Sequence, residues 1–166
     1  MPTDTRSLEQ SLASLNVESR RVAPCKVADA VAAFAADPAV AVHLDRDNAS
    51  LPDSVTVDPT PVELKDATTG VTPAAFAVAD YGSVVLPTTA AGSELVSLHV
   101  DRHVAVLDAA DVVSDMESAF ERFGRDISNR YGSAVLATGP SATADMGALV
   151  KGAHGPSEVR VVIVED

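Results

Sequence analysis

Residues 134–166 read AVLATGPSATADMGALVKGAHGPSEVRVVIVED. Residues 134–138 (AVLAT) form a short apolar run that stops at Gly139-Pro140, a pair that forces a turn. Residues 144–152 (ADMGALVKG) have the apolar spacing of a short helix, and 159–165 (VRVVIVE) is a β-branched run of strand type. Strand, helix and strand in succession indicate a layered α/β domain.

The same alternation extends upstream. Residues 109–127 place Val112, Val113, Met116, Phe120 and Phe123 on one helical face, which predicts an amphipathic helix with Asp111, Asp115 and Glu117 on its solvated side. Residues 103–107 (HVAVL) and 83–87 (SVVLP) read as strands, and the latter pairs with the apolar run 71–80 through a tight turn at Tyr81-Gly82 to form a hairpin. Residues 88–94 (TTAAGSE) read as a small-residue loop. Toward the N-terminus, Leu8, Leu12 and Leu15 predict a helix over 3–22. A second, Ala-rich helix is expected over 27–37, ended by Asp37-Pro38 because the residue before proline avoids the helical region. Residues 39–44 and 55–57 read as strands separated by turn residues. The organisation expected is a single domain over 1–166, with an N-terminal helical segment at 1–37 and a denser core over 70–166.

Three segments could carry chemistry. In TGPSATAD (138–145), Ser141 and Thr143 can cap a helix beginning near Ala144, so free backbone N–H groups and a positive helix end would meet an anion. The plain alternative is a capped turn that binds nothing. In KGAHGP (151–156), Gly152 and Gly155 bracket His154. That imidazole is a candidate acid, base or ligand donor, or a lock for the loop before the last strand. In DYGS (80–83), Asp80 can accept a turn hydrogen bond, Gly82 supplies a positive φ and Ser83 could face a ligand. A hairpin turn explains the same residues. His99 and His103 are expected on one face of a strand, as a strand-edge pair without a third metal ligand. His43 reads as a core histidine. No Walker loop, GxGxxG spacing or GxSxG elbow is present.

Composition bounds the rest. The chain has 166 residues, 46% of them hydrophobic and mostly Ala and Val, with no Trp, two Tyr and four Phe. A domain of this size buries roughly 70% of its unfolded surface, so it needs no covalent staples. Twenty-four acids against twelve bases give a net charge of −12, a surface that repels nucleic acid and anionic membranes. With Lys26, Lys65 and Lys151 as the only lysines, this balance points to an acidic, halophilic protein from a high-salt cytoplasm, with an ordinary acidic protein as the plain alternative. The lone Cys25 cannot form a disulfide within the chain or hold an iron–sulfur cluster by itself, and reads as a small buried hydrophobe. The N-terminus lacks the pattern of a signal peptide, and the apolar stretches are shorter than a membrane span. A soluble cytoplasmic protein is expected.

Taken together, the three segments resemble a known family. Ala79-Asp80-Tyr81-Gly82-Ser83-Val84-Val85-Leu86, then Thr138-Gly139-Pro140-Ser141-Ala142-Thr143-Ala144-Asp145, then Gly152-Ala153-His154-Gly155-Pro156-Ser157-Glu158 are similar, in order and spacing, to the linked signatures of the LUD family, which includes the lactate-utilisation protein C group. The family's arginine in the second signature is Ala142 here, the acidic residue that ends it is Gly147, and Tyr81 stands where Thr is usual.

The resemblance implies a three-layer α/β fold with helices on both faces of a sheet, similar to the ribose-5-phosphate isomerase and coenzyme-A transferase group. It implies an accessory or regulatory role in oxidising L-lactate to pyruvate, beside iron–sulfur and oxidoreductase subunits. An iron–sulfur cluster is then expected only in a partner subunit, and no cofactor in this chain. The expected ligand-binding set, for a small anionic ligand or a partner protein, is Asp80, Gly82, Ser83, Gly139, Ser141, Thr143, Asp145, Gly152, His154 and Gly155. His154 and Asp145 are the candidates for acid/base roles. Two alternatives stand beside this reading: a stand-alone enzyme acting on a phosphorylated or coenzyme-A-linked metabolite, and a non-catalytic interaction module. A homo-oligomer is left open.

Overall fold

The computed structural model describes residues 3–129, 132–145, 148–152 and 154–166; at residue 3 and over 127–129, 143–145 and 148–151 the description is of backbone alone. In chain order the regular elements are α1 (Thr3–Ser14), β1 (Glu18–Val22), α2 (Val27–Phe34), β2 (Ala39–Ala41), β3 (Val55–Val57), α3 (Pro61–Asp66), β4 (Thr69–Pro73), β5 (Phe76–Val78), β6 (Ser83–Pro87), α4 (Ser93–His99), β7 (Arg102–Asp108), β8 (Val112–Val113), α5 (Met116–Asn129), β9 (Ala134–Thr138), β10 (Ala142–Asp145), β11 (Ala148–Lys151) and β12 (Glu158–Val164).

Six strands form the central sheet in the order β1-β12-β7-β4-β2-β3, and every neighbouring pair is parallel. A parallel sheet must be covered on both faces. The period-two alternation of β7 and β12 divides the cover. Val104, Val106, Val162 and Val164 pack beneath α2 with Val27, Val31 and Phe34. Ala105, Leu107, Val161 and Ile163 turn the other way, against Leu8 and Leu12 of α1. Helix α4 lies on that second face over β4. A Cβ built on Gly70 would stand 2.7 Å from Val96 Cγ1 and 2.9 Å from the Val96 carbonyl oxygen, so only glycine admits the helix so close to the strand. The three-layer α/β architecture is thus the one expected. A smaller sheet, β8-β5-β6-β9, is covered by α5 through Phe76, Val85, Ala119 and Phe123. Among the described residues no helix is long and apolar enough to cross a membrane.

Several elements differ from the sequence reading. The first helix ends at Ser14, and residues 18–22 form edge strand β1. Asn16 takes a left-handed φ of 58°. The Val17 and Asn16 N–H groups donate to the Leu12 and Ala13 carbonyls, a Schellman closure that turns the chain out of the helix. Helix α2 stops at Phe34 because Thr69 Oγ1 engages both the backbone N–H and the carbonyl of Ala36 and draws the chain toward β4. The run 71–80 is two strands in two sheets. The loop read over 88–94 gives way to α4, which puts His99 on a helix and His103 on β7, so the two do not share a strand face.

The long helix expected over 109–127 starts only at Met116. Val112–Val113 is strand β8, and Asp115 accepts the Ser118 N–H at 2.8 Å, capping α5 there. Phe120 is 67% exposed and so does not share the buried face of Phe123. The short helix expected over 144–152 is instead the antiparallel pair β10–β11, with Ala142 opposite Lys151 and Asp145 opposite Ala148. His43 and Cys25 are exposed rather than buried.

Candidate functional site

The second and third sequence signatures meet in space. The Ser141 N–H donates to the Pro156 carbonyl at 2.8 Å, and the Gly152 N–H donates to the Ser141 carbonyl at 2.9 Å. The His154 N–H approaches Ser141 Oγ at 3.4 Å. Gly155 sits against the same serine, the position of an added Cβ lying 3.4 Å from Ser141 Cβ and 3.7 Å from Leu98 Cδ2. These contacts close one wall of a cavity of about 340 Å³, a size in the range of small-molecule sites. Ser97 and Leu98 of α4 and residues 135–138 of β9 supply further walls, and His103 and Val159 form the floor.

His103, read from the sequence only as half of a strand-edge pair with His99, is the group whose place in this cavity the sequence did not show. It is the second residue of β7 and is 1% exposed. Its Nε2 lies 2.8 Å from Thr72 Oγ1 on the neighbouring strand β4. Its Nδ1 has no hydrogen-bond partner among the described residues. Burial pushes its pKa down to about 4, because desolvation penalises the imidazolium. A neutral imidazole therefore faces the cavity at physiological pH.

The first signature plays a different part. Asp80 and Tyr81 are exposed on a short turn before Gly82, whose φ of 64° is left-handed. Ser83 is buried, and its hydroxyl lies 2.6 Å from Thr138 Oγ1 at the head of the second signature. None of the residues 80–83 lines the cavity. Gly82 and Gly139 both pack on Leu15 at the end of α1, so the first two signatures share a helix as well as a hydrogen bond.

Among the expected ligand-binding residues, Gly139, Ser141, His154 and Gly155 line the cavity. Gly152 takes a φ of 76° at the end of β11, beside Ser157. The side chains of Thr143 and Asp145 lie outside the described residues. Their backbone belongs to β10, so the helix N-terminus that would have cradled an anion after residue 143 is not formed there.

The arginines beside the third signature are held by acidic partners instead of lining the cavity. Arg102 binds Glu158 at 2.8 Å and donates to the Phe34 carbonyl at 2.8 Å. Arg160 lies 3.2 Å from Glu158 and 3.7 Å from Glu18. Arg160 lines a second cleft of about 460 Å³ on the far side of the Thr138–Pro140 turn, with Leu15, Asn16 and Glu158. The side chain of Lys151 lies outside the described residues.

The cavity opens at the amino ends of β7 and β12. Open α/β sheets usually place ligands at the carboxyl ends. A cleft of about 250 Å³ is present there as well, lined by Pro73, Asp108 and Arg46. Arg46 is tied to Asp108 and, at 2.8 Å, to Asp166. Among the described residues no group of three or more His, Cys, Asp or Glu side chains is placed to hold a metal ion.

Comparison with known proteins agrees with this fold. The chain is similar to a DUF162 family protein from Deinococcus radiodurans, known from a crystal structure: TM-score 0.72 and 18% identity over 98% of this chain and 96% of that one. At that identity the likeness shows the fold. No curated protein sequence matches. The profile of the LUD domain covers residues 22–164, from the end of β1 to the end of β12, and the chain belongs to the LUD domain family.

Proposed function

We propose that this chain is an accessory LUD-domain subunit in the oxidation of L-lactate to pyruvate, and that it holds a small organic anion in the cavity between the second and third signatures. The observation that supports a binding role is the convergence of residues 139–142 and 154–156 on one open cavity. Backbone bonds through Ser141 hold the two segments together, and residues from two further elements complete the walls. Family membership supports the link to lactate. Iron–sulfur and oxidoreductase chemistry then resides in partner subunits, since the single exposed Cys25 offers one thiolate where a cluster needs several ligands. The site of action is the cytoplasm.

The test is growth. A strain lacking this chain should grow poorly on L-lactate and normally on pyruvate. Wild-type protein should restore growth, and Gly155→Leu should not, because the new side chain projects beside Ser141 and Leu98. Undiminished growth on L-lactate without the chain would overturn the proposal.

A further inference from the structure

We infer that His103 donates a hydrogen bond from Nδ1 to a carbonyl or carboxylate oxygen of the molecule bound in this cavity, with Thr72 as the positioning residue that fixes the donor. The inference rests on the cavity being the ligand site and adds the chemistry by which it selects.

The tautomer follows from the buried pair. Thr72 is fully buried, and its hydroxyl has His103 Nε2 as its described partner, at 2.8 Å. A buried hydroxyl that gives no proton away forfeits a hydrogen bond. Thr72 therefore donates to Nε2, and the ring proton resides on Nδ1. Nδ1 is then a buried donor with no acceptor among the described residues, on a residue that lines the cavity floor. Native structures rarely leave such a donor unmet, and an oxygen acceptor on a ligand meets it.

The other walls fit the same class of molecule. Thr138, Ser97 and Ser141 bring hydroxyls, while Leu98, Val135 and Leu136 bring apolar surface. None of the described side chains lining the cavity is an arginine or lysine, so the site lacks the cationic grip that a phosphate dianion demands. A short oxo or carboxylic compound needs only donors and an apolar wall.

Long-range proton–nitrogen NMR of the histidine rings at neutral pH reads the tautomer directly, with no variant required. The expected result is a protonated Nδ1 and a bare Nε2 at His103; the reverse assignment overturns the inference. Titration then uses pyruvate, its neutral amide pyruvamide and inorganic phosphate, followed by calorimetry and by the His103 resonances. Both carbonyl compounds should bind and shift Nδ1–H saturably, and phosphate should not. Thr72→Val, which frees the ring to place its proton on Nε2, should weaken pyruvate binding at least tenfold, and Thr72→Ser should bind as the wild type does. Binding of phosphate alone, binding of neither carbonyl compound, or equal affinity in the Val and Ser variants each overturns it. Calorimetric binding with His103 unmoved overturns this inference and leaves the binding role standing, whereas an unaffected growth phenotype removes the lactate reading and leaves the tautomer result intact.

Discussion

Gly82 is stacked on Leu15, so closely that a Cβ added to the glycine would lie 3.0 Å from Leu15 Cδ1 and 3.2 Å from the Leu12 backbone nitrogen. Its φ of 64° adds the steric penalty of the left-handed region. Gly139 has a similar φ of 67°, but its added Cβ would meet Leu15 only at 3.4 Å and more. Gly82→Ala should therefore cost roughly 2–3 kcal/mol, from conformation and collision together, and Gly139→Ala about 1 kcal/mol from conformation alone. Urea denaturation of the two variants measures the difference; equal losses would show that α1 gives way freely beneath the turn.

Stability should fall as pH drops from about 6.5 to about 4. His103 is neutral in the folded chain down to about pH 4 because burial resists its charging, while in the unfolded chain it protonates near its ordinary value of about 6.5. Within that window the unfolded state binds the extra proton, so the stabilisation is complete above the window and is lost on descending through it. The full loss is about 3 kcal/mol. Hydrogen bonds from Thr60 and Ser118 hold the Glu63 and Asp115 carboxyls below their ordinary range, which adds a further loss at still lower pH. Urea midpoints against pH should show the upper step in the wild type and not in His103→Leu; the same step in both would assign it to other groups.

Ala142→Arg should strengthen anion binding. Residue 142 is exposed and lines both the His103 cavity and the cleft beyond the Thr138–Pro140 turn. A guanidinium there would supply the bidentate partner that the cavity otherwise lacks. Pyruvate affinity should rise about tenfold, equivalent to about 1.4 kcal/mol, and the gain should shrink with added salt. An unchanged affinity in dilute buffer would separate residue 142 from the ligand.

The long strands of the central sheet were legible because each is a short run rich in valine. Residues 103–107 lie within β7, and β12 covers 159–165 except Glu165. The hairpin of β5 and β6 was equally plain from Gly82. Helix α4 was hidden because it starts after a left-handed Gly92 with no side-chain cap, which resembles loop chemistry. Helix α3 was not read from the sequence, although Thr60 and Glu63, which form a reciprocal capping box, carry its signal. Residues 142–151 misled, since apolar spacing at Leu149 and Val150 suits a helix as well as a β-arm.

The site was legible in part. Gly-Pro-Ser and His-Gly-Pro announced themselves as turns, and their meeting could be expected from their shared membership of one pattern. His103 could not be found in this way. Its partner Thr72 lies on another strand, and its place beneath Ser97 and the Thr138–Ala142 segment depends on the β4–β7–β12 order.

The charge balance carries its own prediction. With a net charge of −12, self-repulsion should destabilise the compact state in dilute buffer, and salt should relieve it. If the chain works in a high-salt cytoplasm, its Tm should rise between dilute and molar KCl. A flat or falling Tm would mark it as an ordinary acidic protein.

The most direct measurement is a crystal structure of the chain grown with pyruvate. The molecule should lie between Ser141, Gly155 and the floor of the cavity, with one oxygen within hydrogen-bond distance of His103 Nδ1. Pyruvate seated instead beside Arg46 and Asp108 at the carboxyl ends of the strands, with the His103 cavity empty, would contradict the account.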